Sequence, residues 1–454
     1  MSEFFDLVIY ARGLNAALLY AEAANKGLNV ALVLENDCNN LETSPFILTH
    51  FYKGKPFLAY TRATKNSEKL KKAAANLVVQ SQVIHCKSTS LVEKIFFRIF
   101  NLFRKTKIKT FRSKRSRCLE YTSFKFSADR MAIELLKSGS EKGGEVFQFC
   151  SLISSQYIDN QYYKINLFDK SSGNDLSLKT KAFLVNPLAN RDVLDKNRNP
   201  DENNTAFYFT YPADQTKLTD VVIFDRANVQ ILVVPWFGLV YFKLSGAGDM
   251  DVKKAIKLVQ RHLDFINLDE KHIGAYGKKD RSFFIKEHVG HLILYFKNNQ
   301  YFYPFPSIDS HFCKSERIIL KILKHLNRKS KSVSILKNTI LPTSDLGIVY
   351  HPLRIMELAD EKYDMAKQIN PSPQHFKKLF YRYGAHIDVI TDKAFDYYNQ
   401  NKDNKKAWLM AEIWYCKYHE MCRTYESFIN TYTNLWMDPE NSDKEFIRMI
   451  FNEI

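Results

Sequence analysis

Cysteine is scarce and scattered. Seven residues (38, 86, 118, 150, 313, 416 and 422) form an odd set with no CxxC pair, which excludes a disulfide scaffold or zinc ribbon and suits a reducing compartment. Long apolar runs are also missing. The longest, Ile231–Phe242, contains Pro235 and Gly238 and is far short of the roughly twenty residues a bilayer span needs, so it reads as a pair of buried strands. The start, MSEFFDLVIYARG, lacks the basic n-region and small-residue cleavage site of a secretory signal. No His, Cys or carboxylate cluster has metal-ligand spacing, no Ser/His/Asp arrangement can be argued, and no internal repeat is visible.

What is present is an ordinary globular composition, 45% apolar over 454 residues, enough for two or three domains. Lys and Arg number 66 against 49 acids, a net charge of +17, and the excess is concentrated: Lys87–Arg117 carries a net +10 with the single acid Glu93. The rest is nearly balanced, so the chain lacks the broad basic surface of a dedicated nucleic-acid binder, and no nucleic-acid partner is expected.

The periodicities divide the chain into an α/β body over residues 1–345 and a helical region over 346–454. The opening reads β-α-β: an apolar strand at Phe5–Tyr10, an Ala-rich helix at Leu14–Asn25 stopped at Gly27, and an apolar strand at Leu28–Leu34 that ends on Glu35. Such continuously apolar strands suit a parallel sheet covered on both faces. A helix is expected over 66–80 and another around Arg130–Lys137. Strand segments are expected at Tyr162–Phe168, Leu176–Leu178, Ala182–Val185 and across 206–246, with a helix at Val252–Phe265. Phe283–Phe305 reads as strand-like and Glu316–Leu326 as a helix. Helical spacing then continues through Pro352–Met365, His375–Tyr383, Ile387–Asn399, Trp408–Trp436 and Lys444–Ile454.

The turn Ala11-Arg12-Gly13-Leu14-Asn15-Ala16 stands where a dinucleotide site carries G-x-G-x-x-G. There glycines allow the tight turn, the close approach of the pyrophosphate and tight helix–strand packing. Only the middle glycine is kept. Helix N-terminal amides attract a pyrophosphate, Arg12 adds charge, and Glu35 is placed to take ribose hydroxyls. Taken alone, the turn is equally compatible with an α/β connection that holds no ligand.

Beyond this turn the chain resembles the FAD-dependent glycerol-3-phosphate dehydrogenases at many collinear points. Ile9–Glu35 is similar to the family's IGGGINGAGIARDAAGRGLSVLLLE. Thr43-Ser44 matches its TSS, and residues 53–58 stand where it has GGLRYL. Phe126–Met131 resembles VDDARL, Val185–Asn190 resembles VNAAGP, and Val234-Pro235-Trp236 resembles IPW. Tyr383-Gly384, Ala411–Tyr415 and His419–Thr424 resemble the C-terminal YG and AEVVYAVRHEMART. The resemblance implies a glutathione-reductase-like, FAD-binding Rossmann-type domain with a mixed or antiparallel substrate sheet and an all-α cap. It further implies FAD held by Ala11, Arg12, Gly13, Asn15, Ala16, Glu35, Thr43 and Ser44, and oxidation of glycerol 3-phosphate or a related polyol phosphate to dihydroxyacetone phosphate.

The chain departs from the family at chemically important places. The family's His and Arg of HGGLRY are Tyr52 and Pro56 here, with Lys53 and Lys55 beside them. Lys279 falls at the arginine of AGLRP, and Arg281 follows. Lys243-Leu244-Ser245-Gly246 replaces Gly-Thr-Thr-Asp, and Phe296–Gln300 replaces the Gly-Gly-Lys loop. Lysine binds phosphate as a point charge rather than a fork, so Lys53, Lys55, Lys279 and Arg281 are the candidates for the substrate phosphate. A second reading is a family member without catalysis, a binding or regulatory protein at a membrane surface.

Leu91–Phe103 has apolar residues at 92, 95, 96, 99 and 103 and runs into the basic stretch 104–117. This is an amphipathic helix with a cationic tail, suited to an anionic membrane surface or, alternatively, to packing on the body beside a solvated loop. The family's bacterial respiratory members sit on the inner membrane surface and reduce quinone. The implied location is therefore cytoplasmic and peripheral on that face.

Overall fold

The computed structural model describes residues 4–36, 46–48, 69–86, 109–112, 117–159, 161–185, 205–226, 229–245, 250–263, 265–280, 291–296, 299–304, 308–328, 340–347, 351–433, 435 and 444–454. These residues form two sheets and a helical C-terminal region, the architecture expected from the sequence.

The first sheet is built on β1 (Phe4–Tyr10), β2 (Val30–Val33), β7 (Glu145–Phe147) and the long β10 (Asn174–Val185). These run parallel in the order β10-β1-β2-β7. One edge of β10 is shared by β9 (Tyr162–Asp169) over its first half and β16 (His291–Phe296) over its last residues. Beyond these lie β8 (Cys150–Ile158) and β17 (Asn299–Pro304). Residues 174–185, expected as two segments, form one strand because the same edge pairs first with β9 and then with β16. Helix α1 (Gly13–Asn25) returns β1 to β2, a parallel crossover.

The second sheet has the order β15-β11-β14-β13-β12-β4-β6-β3. Its strands are β3 (Phe46–Leu48), β4 (Val79–Cys86), β6 (Arg117–Ser127), β11 (Thr205–Pro212), β12 (Val221–Arg226), β13 (Val229–Trp236), β14 (Leu239–Ser245) and β15 (Tyr276–Asp280). The apolar run 231–242 is the β13–β14 hairpin, turned at Phe237-Gly238. One face, with Phe207, Phe209, Val222, Ile231, Val233 and Phe242, packs on helix α3 (Val252–His262). The basic stretch contributes β5 (Lys109–Arg112), an edge strand paired with β6, while residues 91–103 lie outside the described part.

Two helix expectations are corrected. Within 66–80 only residues 69–73 are helical among those described, followed by a turn and β4. Asn76 is drawn out of helical geometry by tertiary bonds, its side chain meeting Thr343 Oγ1 at 3.4 Å and Ser344 Oγ at 2.5 Å. The stretch 408–436 is not one helix: α8 (Asn404–His419) stops, and Met421 takes φ 60° before a further turn at Tyr425–Tyr432. Glu420 leaves the helix to enter an ion cluster described below.

Helix α2 (Ala128–Ser140), capped by the Ser127 side chain, packs on α1. The C-terminal helices α5 (Pro352–Ala366), α6 (Pro373–Tyr383), α7 (Ile387–Asn401), α8 and α9 (Lys444–Glu453), together with α4 (Ile308–His325), share that core with α1 and α2. Gly384 follows α6 at φ 49°, and a Cβ there would lie 1.9 Å from the Thr343 carbonyl oxygen and 2.6 Å from Asn76 Nδ2. Gly384→Ala is therefore expected to destabilise the fold by about 2–5 kcal/mol, combining left-handed strain with overpacking. Urea unfolding monitored by circular dichroism checks this; a loss below about 1 kcal/mol would contradict the close approach.

Candidate functional site

In an open α/β sheet, ligands bind beyond the carboxyl ends of the strands where the strand order reverses. Here that point lies between β1 and β10: the chain leaves β1 toward β2 on one side, and β10 lies on the other. The β1–α1 turn is at this place. Gly13 has φ 75°, whereas Ala11 and Ala16 are absent from the left-handed residues. The only position of the turn that demands glycine has kept it, and alanine at the other two costs no backbone strain. Ala11 and Ala16 are buried, Arg12 and Asn15 half-buried. The first turn of α1 carries no acidic residue and no side-chain cap from Arg12, so the helix itself sets no carboxylate against its positive end.

Tyr10 is buried among Phe5, Val8, Ala31, Val33 and Cys150, away from the core that holds α1. Burial, with Glu35 adding to it, pushes its hydroxyl pKa up to about 12. Its side chain packs on the face of the sheet opposite α1. Glu35 follows β2 and is half-buried, its carboxylate 3.7 Å from Lys170 Nζ, which also donates to the Glu35 carbonyl at 3.2 Å. A glycine-turned helix start with an acid after the next strand suits a dinucleotide's pyrophosphate and ribose, so these residues fit such a group. Thr43, Ser44, Lys53, Lys55 and Arg281 lie outside the described residues. Lys279 is placed by its backbone in β15.

The second sheet contributes a polar inner face that the sequence did not reveal. Opposite the α3 side lie Tyr208, Thr210, Tyr241 and Lys243, each at most 6% exposed. The register puts Tyr208 beside Lys243 on one side and Gly277 on the other, and pairs Ala206 with Ser245 and with Lys279. The Tyr208 and Tyr241 rings are 5.6 Å apart, and Lys243 Nζ is 6.0 Å from the Tyr208 ring centre. Burial raises the Tyr241 pKa, helped by Tyr208 and by Asp129 at the start of α2. This face is therefore turned toward the start of α2. In sequence both faces of FYFTYP and VYFKL look apolar; only pairing separates the Phe face from the Tyr/Lys face.

The same face is closed at its hairpin end by Lys125. Its Nζ donates to the Pro235 carbonyl and lies 5.7 Å from the Trp236 ring. Burial lowers its pKa to about 8. Phe237 packs on Tyr381 of α6, with ring centres 4.9 Å apart.

A third cluster joins the body to the C-terminal helices. Arg130 of α2 grips Glu420 with two bonds of 2.7 and 2.9 Å and reaches Glu134 at 3.2 Å. Lys137 lies 3.6 Å from Glu134 and 3.7 Å from Glu420, and donates to the Tyr415 hydroxyl at 3.2 Å. Arg382 pairs with Glu412, which also accepts from the Tyr383 hydroxyl at 2.8 Å. Arg130, Glu134, Lys137, Glu420 and Glu412 are all buried. The motifs that carried the family resemblance, around 126–131, 383–384 and 411–424, meet here as a structural clamp.

His386 bonds the Tyr415 hydroxyl through Nδ1. Burial first, and then Lys137, lower its pKa to about 4, against the pull of Glu420; His419 and Arg130 add smaller lowering effects. In the unfolded chain a histidine titrates near 6.5. Because the folded pKa is depressed, the stability that depends on a neutral ring is present above about pH 6.5 and is lost as pH falls toward 4. The melting temperature is expected to drop across that window, and His386→Gln to flatten the drop; parallel slopes in the two proteins would refute the assignment.

No family model matches the chain, and no curated protein matches it. Solved structures do. The chain is similar to glycerol-3-phosphate dehydrogenase from Bacillus halodurans complexed with FAD, with TM-score 0.70 and 13% identity over 99% of this chain and 91% of that one. It is similar to L-proline dehydrogenase from P. horikoshii, with TM-score 0.51 and 14% identity over 74% and 96%. It is also similar to L-α-glycerophosphate oxidase from Mycoplasma pneumoniae with FAD bound, with TM-score 0.50 and 12% identity over 74% and 99%. At these identities the likeness defines a shared fold. Among the described residues, no helix is long and apolar enough to cross a membrane, and no group of His, Cys, Asp and Glu could hold a metal ion.

Proposed function

We propose that the chain is a flavin-dependent oxidoreductase that oxidises glycerol 3-phosphate, or a related polyol phosphate, to dihydroxyacetone phosphate or its analogue. The observation that carries this reading is the Gly13 turn at the β1/β10 switch point, within a fold that parallels the Bacillus halodurans dehydrogenase along almost the whole chain. FAD, when bound, supplies the hydride acceptor. The α1 amides from Gly13 onward, with Ala11, Arg12, Asn15 and Ala16 around them, would hold its pyrophosphate, and Glu35 its ribose. Thr43 and Ser44 join them by resemblance. Lys53, Lys55, Lys279 and Arg281 are the cations proposed for the substrate phosphate. Residues 1–345 would form the cofactor and substrate part, and 346–454 the cap.

The test is the absorption spectrum of the purified full chain. Flavin bands that are released on denaturation, with glycerol 3-phosphate reducing an artificial acceptor, are expected. A colourless protein that cannot be reconstituted with FAD would favour the second reading, a binding protein that has kept the fold without the chemistry.

The basic segment 91–117 is proposed to contact an anionic membrane surface on the cytoplasmic side, with quinone as acceptor. Flotation with liposomes rich in anionic lipid, absent with neutral ones, is the expected result; equal recovery with both would end that proposal.

A further inference from the structure

Strand β4 ends at Cys86, and the last row of its antiparallel ladder with β6 sets Cys86 directly opposite Cys118. Both side chains belong to the apolar cluster under α3 and are at most 2% exposed, so they leave the same face of the sheet. Residues directly opposite in an antiparallel pair have Cα atoms about 4.5 or 5.5 Å apart, according to the type of row. A disulfide accepts roughly 4.4–6.8 Å, and either type of row falls inside that window. Both residues are thiols here. The same row continues to Phe224 of β12 on one side and to the position of Phe111 in β5 on the other. It adds no third metal ligand, and the chemistry that two facing sulfurs share is the disulfide. Cys150, by contrast, lies opposite Asp169, and among the described strands the β4–β6 row alone sets two cysteines against each other.

We propose that Cys86 and Cys118 form a reversible oxidative-modification site, closing to a disulfide when a peroxide reaches them and reopening with a dithiol reductant. One sulfur attacks an oxygen of hydrogen peroxide: an S–O bond forms, the O–O bond breaks, and water leaves a sulfenic acid behind. The facing thiol then attacks that sulfur, so that an S–S bond forms, the S–O bond breaks and a second water departs. The thiols give up two electrons and two protons, and the peroxide takes both up as water. Burial slows attack from solvent. The pair nevertheless occupies the terminal row of its ladder, where local opening is least costly, and hydrogen peroxide is small. A second thiol already in place favours ring closure over further oxidation, the advantage of an intramolecular step. In a reducing compartment such a bond is transient, which suits a reversible site rather than a permanent staple. The bond would pin the ends of β4 and β6 and close a covalent loop around the basic stretch Lys87–Arg117. It stands apart from the flavin reading and would hold equally for a protein that binds no cofactor.

The full chain is treated with hydrogen peroxide, alkylated and digested without reduction. Mass spectrometry is expected to find the Cys86 and Cys118 peptides joined, in protein that still migrates as a single chain on a non-reducing gel. The titratable thiol count should fall by two. The melting temperature should rise by about 3–6 °C, since a closed loop of about 30 residues restricts the unfolded chain. Dithiothreitol should reverse all of these changes. Cys86→Ala should abolish the thermal shift and let a sulfenic acid persist at Cys118, where dimedone captures it. Cys150→Ala should leave the shift as in the wild type. The exposed Met356, Met365 and Met449 report the peroxide dose within the same digest. The site is overturned if the methionines oxidise and the Cys86 and Cys118 peptides stay separate, or if they are joined only between two chains. A bond that dithiothreitol fails to cleave in the folded protein overturns its reversibility. The wild-type peptide map decides even if Cys86→Ala does not fold, and it reads the same in yellow and in colourless protein.

Discussion

Arg130→Met will cost about 3–5 kcal/mol of stability, the effect of breaking a buried ion pair and leaving its partner carboxylate behind. Arg130 bridges Glu420 with two bonds and Glu134 with a third, all within the core that joins α2 to the C-terminal helices. Burial works against both charges, yet Arg130 holds Glu420 ionised, with its pKa below the usual carboxylate range, while burial pushes Glu134 up. Removing the guanidinium leaves Glu420 and Glu134 facing each other beside Lys137 alone. The C-terminal helices are expected to loosen first, so limited proteolysis should cut between 420 and 443 before the body unfolds. The double variant Arg130→Met/Glu420→Leu should recover much of the loss, since no stranded charge remains on that pair. Equilibrium denaturation of the two singles and the double supplies the cycle; additive losses would mean that the pair is not coupled.

The second large effect is on cofactor binding. Gly13→Val is expected to leave the far-UV spectrum intact and abolish co-purifying flavin, an affinity loss of at least about 100-fold. At φ 75° a β-branched residue meets strain of roughly 1–2 kcal/mol, and its side chain would occupy the space a pyrophosphate needs against the α1 amides. Restoring glycine at Ala11 is a useful contrast. Ala11 has no left-handed backbone to relieve, so Ala11→Gly should change flavin content by less than about threefold. A Gly13→Val protein as yellow as wild type would place the cofactor, if any, somewhere else.

The two substitutions also separate what the family-like motifs mean. Residues 383–384 and 411–424, the most specific points of the resemblance, meet 126–131, another of its points, where the C-terminal helices join α2. Arg130 grips Glu420, Tyr383 bonds Glu412 and stacks under Arg130 with 4.9 Å from guanidinium to ring centre, and Gly384 makes room for the Thr343 carbonyl. Such motifs carry the fold.

Local pattern was sufficient for much of the fold. Apolar β1 and β2 with the Ala-rich α1 between them, the hairpin at 231–242, and the amphipathic helices after Pro352 were legible because their periodicity follows from burying one face or two. Where the pattern misled, a tertiary bond had overridden propensity: Asn76 pulled toward Thr343 and Ser344 ended the helix expected to reach residue 80, and Glu420 drawn into the ion cluster broke the one expected to reach 436.

The β-α-β opening, the place of Gly13 and Glu35, and the helical character of the C-terminal region follow from residue order alone, because each depends on neighbours within a few residues. The folded arrangement was needed to show that Gly13 alone in its turn takes a left-handed backbone, and that Lys243, Tyr208 and Tyr241 share one buried face. It alone brought Arg130 across 290 residues of separation to Glu420. Those outcomes depend on strand register and on which helices touch, and register is set by the sum of many contacts between segments far apart in the chain.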